Sequence, residues 1–402
     1  MREPFPSTRR YLFRRGFLRR SVLVVVFSAL ITTGLTVGYV TWEYSNLTRF
    51  EEAIKPTASE VTTRPTLPTV PPGVTRILVF STGSDGLDAE RDGSRLGIGR
   101  GRARMSDQLT DSLLLVTLYP DNAKIGIVSL PRDTWLEWRG HRINESFKRY
   151  GLTALVDDVE TLTGLRAEHA VALNFAAFSD LTDSLGGVRL LFDAPARDAK
   201  ARLEIPSAGC VNLDGPNALA FVRSRHWQVY TNDAWRSDAS SSDWGRILRQ
   251  QAFIRAAAAQ LLTWQLPARI PALFNVVQEN VTFDQELTVS KLAGLVQGFA
   301  NNKPTIETMT FPGRGGVTDT GASVIFPDMI NGPESVTEFD ALITGITNIY
   351  PETPNTNPAT STPSTSAVPF IPRESSSVPT PSTSTPPSST SKTLSQSRWP
   401  SC

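Results

Sequence analysis

Asp111 and Arg132 bracket the stretch of this chain with the most chemical promise, DSLLLVTLYPDNAKIGIVSLPR at 111–132, followed directly by Asp133. Its two apolar runs flank Tyr119, Pro120, Asp121, Asn122 and Ala123, a turn-rich segment, so they are predicted to pair as an antiparallel hairpin. Asp111 and Arg132 lie equally far from the bond between Asp121 and Asn122, which sets them opposite each other at the open end. Taken alone, such a pair is an ordinary strand-end salt bridge. Other polar groups converge on the same kind of position. Asp85 follows a strand-like run in a Thr82-Gly83-Ser84-Asp85-Gly86 turn. Arg223 and Arg225 stand two apart in ALAFVRSR (218–225), and in an extended segment they project to the same side. Arg246 and Gln250 are one turn apart on a predicted helix and share a face, opposite its apolar stripe and beside Arg249. Arginine forks grip phosphate oxygens bidentately, and Mg2+ takes carboxylates together with substrate phosphate. The convergence of arginines with two aspartates therefore favours a pyrophosphate site served by a divalent cation.

The elements that must position these residues alternate in type. Strand-like runs lie at 76–80, 112–118, 124–130, 170–173 and 188–192. Helical patterns lie at 153–163, stopped by Gly164, at 175–185, ended by Gly186 and Gly187, and at about 246–262 with Ile247, Ile254, Ala258 and Leu261 on the buried face. This is an α/β pattern: a central mixed β-sheet flanked by helices. The globular pattern runs over 73–345. It is preceded by a Pro/Thr-rich juxtamembrane linker at 43–72 and followed by a Pro/Ser/Thr-rich tail at 346–402, whose composition predicts disorder.

The net charge of +1 hides an asymmetry, since the first twenty residues hold seven arginines and one glutamate. That basic tip, residues 1–20, precedes an apolar segment at 21–42, uncharged from Ser21 to Val40 and ending in Thr41 and Trp42. Twenty such residues suffice to cross a bilayer, and the arginines place the N-terminus in the cytoplasm. The expected localisation is the cell membrane, single-pass, with the globular domain outside the cytoplasm. A cleaved signal peptide is the competing reading, but the apolar run is too long for one. The remainder of the chain is mildly acidic, which argues against a nucleic-acid partner. Of the two cysteines, Cys210 lies in the domain and Cys402 ends the tail; whether they pair stays open. His141, His169 and His226 show no metal-site spacing.

Several blocks together resemble the LytR–CpsA–Psr family of envelope phosphotransferases. They are GSD at 83–85, TDSLLLVTL at 110–118, SLPRDTW at 129–135, RINESF at 142–147, LTGLRAEHAVALNFAAFSDLTDSLGGV at 162–188, LDGPNALAFVRSRH at 213–226 and DWGRILRQQ at 243–251. The resemblance covers roughly 75–330. It implies transfer of a glycopolymer from a polyprenyl-pyrophosphate carrier to peptidoglycan, with release of polyprenyl phosphate. It also implies a sheet flanked by helices, with the prenyl chain in an apolar tunnel and the pyrophosphate at its mouth. Carried over by motif, Asp85 and Asp111 hold Mg2+. Arg132, Arg223, Arg225, Arg246 and Gln250 bind the pyrophosphate oxygens, and Asp133 supports the SLPRD turn. Asp111 and Arg132 are the residues on which catalysis is expected to depend most.

The chain departs from the family pattern in three places. Leu109 stands where an arginine is usual, with Arg102 and Arg104 nearby in the preceding loop. The spacing from Asp85 to Asp111 is long, as in actinobacterial members. An insertion at 226–242 carries Trp227, Tyr230 and Trp235, residues suited to packing the loop or to stacking on sugars, with packing favoured. LGIGRGRAR at 96–104 has glycines without the strand-to-helix context of a nucleotide site. Two other readings stand beside the enzyme: a non-catalytic envelope protein that binds lipid-linked polymer or a partner, and a membrane-anchored regulator. The cytoplasmic part is too short for a DNA-reading domain.

Overall fold

The structure is a computed structural model that describes residues 48–50, 67–82, 109–119, 123–261, 276, 281–288, 291, 295, 304–345 and 399–402. The apolar segment at 21–42, the loop with Asp85, Arg102 and Arg104, and the tail up to residue 398 lie outside the described residues. Among the described residues no helix is long and apolar enough to cross a membrane.

A seven-stranded mixed sheet forms the centre. Its strands are β1 (Thr48–Arg49), β2 (Thr75–Thr82), β3 (Thr110–Tyr119), β4 (Lys124–Leu130), β5 (His169–Leu173), β12 (Val281–Phe283) and β13 (Thr305–Thr310). They lie in the order β1-β12-β5-β2-β3-β4-β13. The meander β2–β3–β4 is antiparallel, whereas β5 joins β2 and β13 joins β4 in parallel. Helix α1 (Ser146–Thr163) and the last helix, α5 (Gly332–Thr344), pack on this sheet. Leu78, Phe80, Leu113, Leu115, Leu155, Val159, Leu162 and Val336 are buried in the core between them. Helix α1 breaks at Gly151 (φ 83°, ψ −170°) and stops at Gly164 (φ 70°), whose N–H reaches the Glu160 carbonyl. That left-handed stop is the one expected of glycine after a helix.

A second core lies under α2 (Phe175–Ser184), α3 (Gly215–Arg223) and α4 (Asp243–Leu261). It is walled by the ribbon β6–β9 (Val188–Phe192 with Gly209–Leu213) and a small antiparallel sheet. That sheet runs β8-β7-β10-β11 over Leu203–Ile205, Ala196–Asp198, Gln228–Thr231 and Ala234–Ser237. A hairpin joins β14 (Gly313–Val317) to β15 (Ser323–Pro327), and a two-residue ribbon pairs Trp135–Leu136 with His141–Arg142.

The α/β architecture is the expected one, and each predicted strand and long helix is present with shifts of a few residues. Three local readings need correction. Residues 48–50, taken as linker, belong to the domain: β1 pairs with β12, and Phe50 stacks on Phe80 at 6.0 Å inside the main core. A two-residue strand is too short to show periodicity. The segment carrying Arg223 is helical rather than extended. Asp214 caps α3 by accepting from the Asn217 N–H at 3.0 Å, and Pro216 sits in its first turn. Third, residues 399–402 do not share the disorder predicted for the tail. Trp399 is buried in the second core and Cys402 is disulfide-bonded to Cys210.

Candidate active site

The β3–β4 hairpin has the register read from its turn, with Leu113 opposite Leu130 and Tyr119 opposite Lys124. Its open end carries an additional device. On the other side of β3, Ser112 pairs with Ser81 but Thr110 pairs with Thr82, so Asp111 is the extra residue of a β-bulge. A bulge re-aims the side chain it releases. Here the Asp111 carboxylate meets the Arg132 guanidinium, Oδ1 to Nη1. Asp133 faces three guanidinium groups: Arg132 at 3.6 Å, Arg142 at 3.9 Å and Arg225 at 4.0 Å.

Arg223 and Arg225 come from the exit of α3. The helix ends at Arg223, and Ser224 turns out of it with φ −56° and ψ 131°. The buried Asp198 at the end of β7 fixes this turn. Its Oδ2 accepts from the Ser224 hydroxyl at 2.7 Å and from the N–H groups of Arg225 at 3.0 Å and His226 at 2.8 Å. Its Oδ1 accepts from the N–H groups of Lys200 and Ala201. Burial alone raises the Asp198 pKa, but these hydrogen bonds outweigh it and hold the carboxyl below its ordinary value. Arg223 lies over the Phe175 ring at 4.6 Å and has no carboxylate within 4.0 Å among the described residues.

Helix α4 delivers the remaining groups. Asp243 in its first turn accepts from Arg246 at 3.0 Å and pairs with Arg225 at 2.7 Å. Gln250 donates to the Ser112 hydroxyl at 3.0 Å, next to Asp111. The loop before the helix lies so close that a Cβ on Gly245 would fall 1.9 Å from the Ser240 carbonyl oxygen. Only glycine fits there. The apolar-stripe reading of α4 does not hold: Arg246 and Arg249 are as buried as Ile247, because the helix is covered on most sides. Arg249 faces away from the site and binds the Ser224 and Ser240 carbonyls.

Five guanidinium groups (Arg132, Arg142, Arg223, Arg225, Arg246) thus face three described carboxylates (Asp111, Asp133, Asp243), an excess of 5 − 3 = 2 positive charges. Their electrostatics differ. Burial lowers the Arg132 pKa, but Asp111, Asp133 and Asp243 together more than offset it and leave it raised. Burial dominates at Arg223 and Arg246 and pulls both down, with Asp111 opposing at each and Asp243 also opposing at Arg246. Arginine stays protonated in any case, so a full charge sits at the buried Arg246 and at the half-buried Arg223. The buried Nε of Arg246 has no hydrogen-bond partner among the described residues. An arriving polyanion relieves both deficits.

The structure therefore gathers Asp111, Arg132, Asp133, Arg223, Arg225, Arg246 and Gln250 at one place, while Asp85 lies outside the described residues. Sequence reasoning missed Asp198, Asp243 and Arg142 as members. Asp243 had a local signal, standing three residues before Arg246 at a helix start; Asp198, far away in sequence, had none. Leu109, where arginine was expected, is exposed and brings no charge. Of the insertion aromatics, Trp227 packs in the core, whereas Tyr230 and Trp235 pair on the β10–β11 hairpin at 5.3 Å. Among the described residues no three His, Cys, Asp or Glu side chains cluster as a metal site. Asp111 has no hydrogen-bond partner there besides Arg132. A single carboxylate beside a phosphate-sized basic cluster fits Mg2+, which binds through one or two carboxylates plus substrate phosphates and water.

The chain matches the LytR_cpsA_psr family over residues 51–332. It is 26% identical over 252 residues to cell wall biosynthesis protein LcpA of Corynebacterium glutamicum, covering 55% of this chain and 46% of that protein. It is 27% identical over 210 residues to polyisoprenyl-teichoic acid–peptidoglycan teichoic acid transferase TagU of Bacillus cereus, covering 51% and 64%. The matched region is less than two thirds of either relative. The fold is similar to that of the LytR-Csp2A-Psr enzyme from Actinomyces oris, with a TM-score of 0.53 and 22% identity over 73% of this chain and 95% of that one. It is also similar to TagT bound to LIIa-WTA, with a TM-score of 0.50 and 17% identity over 75% and 99%. With the family match extending over most of the chain, and a fold shared with these structures, this protein belongs to the LytR_cpsA_psr family.

Proposed function

We propose that this protein transfers a glycopolymer from a polyprenyl-pyrophosphate carrier to peptidoglycan, releasing polyprenyl phosphate, as a single-pass membrane protein whose domain faces outward. The observation that carries the proposal is the arginine cluster, which among the described residues exceeds its carboxylates by two positive charges and includes the buried Arg246 and the half-buried Arg223, whose pKa values burial lowers. Such a cluster suits a doubly phosphorylated group better than a single carboxylate. Relatives named as a teichoic acid transferase and a cell wall biosynthesis protein support the choice of substrate class.

In this reading an acceptor hydroxyl attacks the sugar-side phosphorus and the bond to the bridging oxygen breaks, so that polyprenyl phosphate leaves with the electron pair and takes up the hydroxyl's proton. Arg223 and Arg246 neutralise charge on the group in flight. Arg132 and Arg225, each held by an aspartate, are preoriented forks that need little reorganisation. Gln250, tied to Ser112, orients an oxygen by a neutral hydrogen bond. Asp133 spaces Arg132, Arg142 and Arg225 against mutual repulsion. Mg2+, held by Asp111 and Asp85, would supply further electrophilic assistance to the phosphate oxygens.

The test uses the full chain with a polyprenyl-pyrophosphoryl saccharide and peptidoglycan acceptor. Chelation should stop release of polyprenyl phosphate, Mg2+ should restore it, and Asp111→Ala should lower it at least a hundredfold. Release indifferent to both metal and Asp111 would remove the metal from the account.

A further inference from the structure

The end of the chain returns to the domain immediately behind the arginine cluster. The Pro400 carbonyl accepts from the Leu191 N–H at 2.9 Å, Ser401 bridges antiparallel to Leu190, and Cys402 is bonded to Cys210 on β9. These contacts seat Trp399 in the second core. Its ring is edge-on to Phe221 at 5.6 Å and to Trp227 at 5.5 Å. The Arg249 guanidinium lies 5.8 Å from the Trp399 ring and 5.1 Å from the Trp227 ring. Arg249 is fully buried and donates to two backbone carbonyls, Ser240 at 3.0 Å and Ser224.

Those two carbonyls belong to the segments that carry the arginines of the site. Ser224 separates Arg223 from Arg225, and Ser240 lies against Gly245, next to Arg246. Arg249 therefore fixes the spacing between the two chain segments that supply three of the arginines. Two indoles confine it by cation–π contact, an attraction that strengthens when the cation is desolvated. One of the two belongs to a residue more than fifty positions beyond the last described strand and helix.

We infer that Trp399 is a positioning residue of the phosphate site, acting through Arg249 and held in place by the Cys210–Cys402 bond. The consequence for activity rests on the proposed function. A sub-ångström drift of Ser224 against Ser240 weakens contacts made to the group in flight more than contacts made to the resting pyrophosphate, so the loss falls on kcat rather than KM.

The experiment compares the full-length protein with Trp399→Ala, Trp399→Phe and Cys402→Ser, well below each thermal midpoint. Polyprenyl phosphate release gives kcat and KM; amide hydrogen exchange is read over residues 222–227 and 238–246. The expected result for Trp399→Ala is a tenfold or greater fall in kcat, KM within about twofold, and faster exchange in both segments. Trp399→Phe, which keeps a ring against Arg249, should recover most of kcat, and Cys402→Ser should fall between. If Trp399→Ala does not fold, the ordering of Cys402→Ser below Trp399→Phe below wild type carries the test. A lower thermal midpoint with unchanged kcat and exchange would make the chain end a structural staple and overturn the inference. Should wild type release no polyprenyl phosphate, the proposed function fails, and exchange alone decides positioning: faster in both segments supports it, unchanged refutes it.

Discussion

Arg132→Ala should reduce polyprenyl phosphate release by two to three orders of magnitude while leaving the fold intact. The guanidinium sits between Asp111 and Asp133 at the mouth of the β3–β4 hairpin, where its pKa is raised by those carboxylates and Asp243. Its removal takes a preoriented donor from the developing phosphate charge, a loss of about 10²–10³ in rate where such groups have been deleted. It also removes the guanidinium that holds the Asp111 carboxylate in place, which adds to the loss. The side chain is partly exposed and fills no core position, so circular dichroism and the thermal midpoint should stay close to wild type. Arg132→Lys keeps the charge but not the fork and should fall in between. Transfer at wild-type rates in a folded Arg132→Ala protein would contradict its placement in the site.

The largest stability effect is expected far from the chemistry. Arg76 on β2 and Asp340 on α5 form a fully buried bidentate pair, with Nη2 to Oδ2 at 2.7 Å and Nε to Oδ1 at 3.2 Å. The Thr117 hydroxyl donates to the same carboxylate at 3.1 Å. This pair fastens α5 to the centre of the sheet. Asp340→Ala leaves a buried guanidinium without its counter-ion, a defect that costs about 3–5 kcal/mol. Urea unfolding should show this as a lower midpoint with little change in slope. Replacing both partners, as Arg76→Met with Asp340→Leu, removes the charge along with its need for compensation and should regain most of the loss. A single variant as stable as the double would show that the pair is not dry in solution.

Much of the architecture was legible because it rests on short-range rules. Apolar runs on either side of a short stretch with turn-forming composition fix the hairpin and its register, and Gly164, Gly186 and Gly187 stop helices at left-handed backbone positions. Charge spacing along that hairpin was enough to foresee the contact of Asp111 with Arg132. What the sequence concealed was long-range. The Asp198 carboxylate caps a turn 26 residues later, at Ser224. Asp340 meets Arg76 across a separation of 264 residues, and Cys402 meets Cys210 across 192. None of these leaves a periodic trace. The helical state of residues 215–223 was hidden for a different reason: two arginines with i, i+2 spacing suggest a strand face, and the helix end falls between them. In α4, burial of Arg246 and Arg249 defeated the division into one polar face and one apolar stripe. Arg246 is tolerated inside by its pair with Asp243, and Arg249 by the Ser224 and Ser240 carbonyls it donates to.

The measurement that bears most directly on the central claim is the identity of the lipid product when the full-length protein acts on a polyprenyl-pyrophosphoryl saccharide with peptidoglycan and Mg2+. Phosphoryl transfer through the arginine cluster predicts polyprenyl monophosphate, with the second phosphorus appearing in a phosphodiester on the acceptor by 31P NMR. Release of polyprenyl pyrophosphate would mean that the sugar–oxygen bond breaks instead, and tight binding without any lipid product would make the protein a non-catalytic carrier of the polymer; either result would contradict the account.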